Sequence, residues 1–217
     1  MIKSKADYQY YRAADRIALG ISIEKTFLQQ LKSILFPHHI WAFQKTLRKL
    51  EYYRNCKKDL LSKLYMIYLI RRYRQQSLKL GFTIPENVFG PGLSIAHYGS
   101  IVINDRAKVG ANCRLHVGVN IGAASGSSKA PVLGDHCYIG PGAKIYGDIH
   151  LADGIAIGAN AVVNKSFDEP NICIAGVPAK KVSNLQTHHQ HYPVTSYLDH
   201  QPLHDEAYPT GTAMPAL

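Results

Sequence analysis

Aliphatic side chains return at every sixth position through the second half of the chain. Ile103, Val109, Leu115 and Ile121 hold one phase, and Leu133, Ile139, Ile145, Leu151, Ile157 and Val163 continue it. Four residues after most of these stands a second small or apolar side chain: Ala107, Cys113, Val119, Cys137, Ala143, Ile149, Ile155, Ala161 and Phe167. The residue directly after the aliphatic is often Gly or Asn, as at Asn104, Gly110, Gly122, Gly134, Gly140 and Gly158. A period of six matches neither an isolated helix nor a hairpin. It matches a parallel β-helix, in which each hexad makes one flat face and turns a corner. The aliphatic points into the prism, the small residue fits under the corner, and Gly or Asn tolerates the corner backbone. Two or three such units arise in ordinary strand-rich sequence; ten positions in one phase do not.

Two places break the rhythm. From Ile95 to Ile103 the step is eight, so two extra residues bulge out near His97. Between Ile121 and Leu133 the step is twelve, and polar residues stand where an aliphatic belongs, so Ala123–Pro131 is expected to be a loop expelled from the coil. In a regular solenoid such irregular segments are where function concentrates.

Upstream the period changes to a helical one. Tyr8, Tyr11, Ala14 and Ile17 define a first stretch, and Phe27, Leu31 and Ile34/Leu35 a second, ending at Phe36-Pro37. A third runs from about Trp41 to Leu80 through Phe43, Leu47, Leu50, Leu60, Leu61, Leu64, Ile67 and Ile70. Pro85 and Gly90-Pro91-Gly92 mark the start of the repeats. The expected organisation is a basic helical region over 1–81, a β-helix over 82–182, and an extended or disordered tail over 183–217 rich in His, Pro, Tyr and Thr.

Charge sharpens this division. The net charge is +10. Residues 1–80 carry 17 Lys and Arg against 5 Asp and Glu, while the remainder carries 8 against 10, so the basic excess belongs to the helices. Solvated helix faces are the plain reading, with peripheral contact to an anionic membrane surface as the sharper one. No nucleic-acid recognition motif accompanies the basic residues, so no nucleic-acid partner is expected. The four cysteines lack CxxC spacing, and Cys113 and Cys137 fall on inward hexad positions, which suits free thiols in a reducing compartment. The start MIKSKADYQYY does not read as a signal peptide, and Leu60–Ile70 is too short to span a bilayer. A cytoplasmic protein is expected. The tail cluster His188, His189 and His191 lacks acidic or Cys companions, so no metal site is expected.

The repeats, the bulge at His97, the expelled loop and a terminal AGVPAK together resemble the hexapeptide-repeat acyltransferases, and most closely their serine acetyltransferase branch. GLSIAHYGSIVIN looks like that branch's catalytic coil, HVGVNIGAA like a later coil, and IGPGAKIYGDI, IGANAVV and AGVPAKKV like its closing coils. The resemblance covers roughly residues 82–182. It implies a left-handed β-helix, although parallel crossovers are normally right-handed. It also implies a homotrimer with active sites at subunit interfaces and acetyl-CoA as co-substrate.

Acetyl transfer to a hydroxyl needs a base for the hydroxyl proton, donors for the tetrahedral oxyanion, and a grip on the coenzyme. His97 matches the family's catalytic histidine, and an imidazole accepts a proton near neutrality. His116 stands at an outward corner, within reach of acceptor or coenzyme. By motif position the coenzyme groove is lined by Gly122, Ala143 and Ala161, with Lys180 or Lys181 near the phosphates.

Three departures concern the acceptor. The family's Asp directly before the catalytic His is Ala96 here, and the Asp that orients the imidazole one coil earlier is Phe82. The Arg-His-Pro that ends the family's expelled loop reads Lys129-Ala130-Pro131. Charged groups that would clamp a zwitterionic amino acid are largely missing, and an unpaired buried charge is costly. A sugar hydroxyl in surface-polysaccharide assembly needs no such clamp. The expectation is therefore a polysaccharide O-acetyltransferase with Ala96, His116 and Lys129 around a glycan acceptor. Serine O-acetylation for cysteine synthesis is the alternative, and a β-helix scaffold without catalysis is a third. Glu86 or a backbone carbonyl would then orient His97.

Overall fold

The computed structural model describes residues 1–21, 35–126 and 128–184. Within them, three α-helices precede a left-handed parallel β-helix. The expected helix through Phe27, Leu31 and Ile34 and the His-rich tail lie outside the described residues.

The single hexad phase resolves into three ladders, one per face of the prism. The first sheet stacks β1 (Phe82–Thr83), β3 (Ile101–Ile103), β6 (Asn120–Gly122), β9 (Lys144–Tyr146) and β12 (Val162–Val163). The second stacks β4 (Lys108–Val109), β7 (Val132–Leu133) and β10 (His150–Leu151). The third stacks β2 (Ser94–Ile95), β5 (Arg114–Leu115), β8 (Tyr138–Ile139), β11 (Ala156–Ile157) and β13 (Cys173–Gly176). Ile103, Ile121, Ile145 and Val163 form one buried column, Val109, Leu133 and Leu151 a second, and Ile95, Leu115, Ile139, Ile157 and Ile174 a third. Each strand of these ladders is two to four residues long, so burial comes from stacking aliphatics on aliphatics rather than from strand length.

A regular coil takes 18 residues, as from Ile139 to Ile157. Ile95 pairs with Leu115 across 20, which places the two extra residues in the coil that carries His97. Val109 pairs with Leu133 across 24, so six extra residues leave the stack between β6 and β7.

The structure departs from the periodicity reading at both ends. The stretch read as one helix from Trp41 to Leu80 is two, α2 (His39–Cys56) and α3 (Leu60–Leu80), after α1 (Lys5–Ala18). The break falls at Lys57–Asp59, where the Asp59 carboxylate accepts the Ser62 N–H and caps a new helix. At the other end AGVPAKKV does not close a further coil. It folds back as a hairpin, with β14 (Ala179–Ser183) antiparallel to β13.

The helices are fastened to the first coils by polar as well as apolar contacts. Phe43 of α2 packs edge-on against Phe82 at 5.2 Å between ring centroids, and Gln44 donates to the Leu93 carbonyl at 2.7 Å. Arg48 is fully buried and donates to Asp15 of α1, to Glu51, and to the carbonyls of Phe89 and Gly90. Asp15 in turn accepts the Leu93 N–H. Burial, partly opposed by Arg48 and the backbone donors, leaves the Asp15 carboxyl above the ordinary range. By contrast Leu60, Leu61, Leu64 and Ile67, expected on a core-facing stripe, are exposed on α3, where only Leu69 and Leu80 are buried.

Candidate functional site

His97 stands on the corner between the third and first sheets, in the segment that joins β2 to β3. The corner is built by backbone bonds. Ala96 donates to the Leu115 carbonyl and Gly99 to the Leu80 carbonyl, both at 2.9 Å. Between these anchors the two extra residues push the His97 and Tyr98 side chains into solvent. Gly99 makes the turn possible. Its φ is +126°, and a Cβ there would lie 2.5 Å from Cγ2 of Val117 in the next coil. Gly99→Ala is therefore expected to lower unfolding stability by roughly 1–3 kcal/mol. Urea denaturation checks this, and an unchanged midpoint would mean that the turn is not strained by a side chain.

Directly along the stack lies His116. Its ring centroid is 6.0 Å from that of His97, at an interplanar angle of 57°. On its other side the Tyr138 ring stands at 5.1 Å, and its own backbone N–H donates to the Ile139 carbonyl. Burial, with smaller contributions from Arg114 and His97, lowers the His116 pKa and so favours the neutral ring. The expectation of an outward His open to a ligand fits only in part, because Nε2 is sealed from water. Hexad spacing alone does not single out Tyr138. The signal was present: it directly precedes an inward aliphatic and is in register with Arg114 one coil earlier.

The corner that carries His97 and His116 continues along the prism. Ala143 joins β8 to β9 and Ala161 joins β11 to β12, each from the third sheet to the first. Both alanines are fully buried, and their N–H groups bond the carbonyls of Gly140 and Gly158. They shape the edge from inside rather than presenting side chains to a ligand. Gly122 ends β6 on the first sheet, half-buried. Lys180 and Lys181 lie on β14, beside the third sheet; Lys181 pairs with Glu169 at 2.6 Å.

Lys129 is placed elsewhere. The loop over 123–131 leaves the corner between the first and second sheets, and Lys129 pairs there with Asp148 at 2.7 Å. A single chain therefore does not bring Lys129 to the His97 corner. Neither Phe82, which stands where the family's orienting Asp is expected, nor the candidate orienter Glu86 is free to hold the His97 ring. Phe82 is buried against Phe43, and Glu86 is held by Arg54. Ala96 is half-buried beside His97. Among the described residues, no cluster of His, Cys, Asp and Glu could hold a metal ion, and no helix is long and apolar enough to cross a membrane.

Comparison with known proteins agrees with this architecture. The family described as bacterial transferase hexapeptide (six repeats) matches residues 130–165. A serine acetyltransferase of Mycobacterium tuberculosis is 36% identical over 104 residues, which is 47% of this chain and 45% of that protein. A solved serine acetyltransferase of Neisseria gonorrhoeae, in complex with serine, superposes with a TM-score of 0.57 at 26% identity, over 83% of this chain and 71% of that one. A serine acetyltransferase solved in complex with CoA superposes with a TM-score of 0.61 at 22% identity, over 82% and 71%. The chain spans about half the length of the curated relatives it matches. The three stacked ladders and the repeat match together make the chain similar to the hexapeptide-repeat acyltransferases, with serine acetyltransferases among its relatives and structural neighbours.

Proposed function

We propose that the chain is an acetyl-CoA-dependent O-acetyltransferase with His97 as general base. The observation that carries this is the exposed His97 imidazole, lifted on a two-residue bulge at the one corner where the coils otherwise stack without a break. The His97 ring takes the proton of the acceptor hydroxyl as its oxygen attacks the thioester carbonyl. The carbon–oxygen bond forms, the carbon–sulfur bond breaks, and the imidazolium returns the proton to the leaving thiolate. The corner edge past Ala143 and Ala161, with Gly122 and the β14 lysines near its end, is the proposed seat of the coenzyme.

A homotrimer completes the site in this reading. His97 and Lys129 occupy different corners of one prism, so only neighbouring copies can join them across a groove. The naming of the relatives and the serine-bound neighbour support serine as acceptor better than the sugar expected from the motif departures. Serine is therefore the first acceptor to test. The sugar hydroxyl stays as a second reading on one specific observation: Ala96, Phe82 and Ala130 remove the charged groups expected to hold a zwitterion, and Phe82 is committed to the core. Release of CoA from acetyl-CoA is measured with L-serine and, separately, with nucleotide sugars and oligosaccharides. Serine-dependent release well above acceptor-free hydrolysis is the expected result for the first reading. Release that rises only with sugars would transfer the assignment to the second.

A further inference from the structure

We propose that His116 is the positioning residue for His97: its buried Nε2 accepts the His97 ring N–H, which leaves the other His97 nitrogen as the base. This rests on the assignment of His97 just made.

The first observation is an orphan. Nε2 of His116 is inaccessible to water and has no hydrogen-bond partner among the described residues. A sealed polar atom without a partner costs roughly 1–3 kcal/mol, so such atoms in native proteins call for an account. The second observation is proximity. His97 is the neighbouring ring one coil away, at 6.0 Å between centroids, and among the described residues its own ring has no hydrogen bond or ion pair. A ring-to-ring N–H···N bond brings the centroids to roughly 5 Å. His97 is exposed on its bulge and can close the difference by side-chain rotation. His116 cannot move in the same way, because the Tyr138 ring and the backbone bond to Ile139 hold it from the next coil.

Chemistry sets the direction of the bond. Burial and, after it, the Arg114 guanidinium charge disfavour a proton on His116, which favours a neutral acceptor over a second cation. An imidazole that donates from one nitrogen has its lone pair on the other, and this fixed tautomer is what a general base requires. The usual partner for such an imidazole is a carboxylate. Here the matching position is Phe82, and Glu86 is occupied by Arg54. His116 supplies the acceptor that these residues do not.

The test is made on the full-length protein with histidine labelled with 15N in the ring. In the wild type, the His97 ring nitrogens are expected to report one dominant tautomer. In His116→Phe the two tautomers are expected to become comparably populated. His116→Gln, which keeps an acceptor oxygen, should restore the bias. In turnover, His116→Phe should lower kcat by roughly 10²-fold, with KM for acetyl-CoA unchanged, and His116→Gln should recover most of the loss. Equal tautomers of His97 in the wild type would overturn the proposal without any variant. So would an unchanged ratio in His116→Phe. If no acceptor supports turnover, the enzymatic reading fails, while the ring shifts still decide the pairing.

Discussion

His97→Ala lowers kcat by roughly 10²–10⁴ while the chain folds as before. The size of the effect follows from what the side chain does. The base acts only as the hydroxyl proton leaves, so its removal raises the barrier without weakening coenzyme binding, and KM for acetyl-CoA stays near the wild-type value. The stability effect is small because the His97 side chain is exposed and lies outside the buried core. Steady-state kinetics and a thermal melt on the same preparation check both halves. Wild-type turnover in the variant would remove His97 from the chemistry and overturn its assignment as the base.

The largest stability effect is expected at Arg48. Arg48→Met keeps most of the side-chain volume but removes a guanidinium that bonds Asp15, Glu51 and two carbonyls of the first coil. Breaking one partner of a fully buried ion cluster costs about 3–5 kcal/mol, because the charge left behind has neither water nor a counter-charge. Asp15 is that charge, and its pKa already lies above the ordinary value because burial outweighs its partners. Without Arg48 it rises further, so the folded variant binds a proton that the unfolded chain has already released. Stability of the variant therefore falls as pH rises from the ordinary Asp range towards the raised value. The deficit relative to wild type is smallest in mild acid and largest at neutral pH and above. Urea unfolding at pH 5 and pH 8 measures it. Equal deficits would mean that Asp15 finds another partner.

The β-helix was legible because its core is nearly one-dimensional. Ile139 meets Ile157 and Leu115, and all three belong to the same six-residue phase, so local spacing already encodes the long-range contact. The bulge and the expelled loop were legible for the same reason, as slips in an otherwise regular count. The helices were less so. Leu60, Leu61, Leu64 and Ile67 have core-like spacing, yet in the single chain they face outward, and spacing does not say which apolar stripe finds a partner. The break at Lys57–Asp59 was carried by one capping carboxylate, which hydrophobic periodicity does not register. In the candidate site, the bulge that lifts His97 could be found from sequence. The contact of His116 with it could not, because that contact depends on the 20-residue coil that brings Leu115 beneath Ile95. The buried Asp15–Arg48–Glu51 cluster joins residues of two helices and a turn with no shared period.

The pairing of Val109 with Leu133 shows that the rungs on either side are indifferent to the span that separates them. The ends of that excursion are already held side by side by the first and second sheets, so lengthening it adds only a slowly growing closure entropy, about 0.6 kcal/mol per doubling. The stem around Lys129 is thus a graft point. Foreign segments of unequal size could be exchanged there while the spool beneath retains its winding.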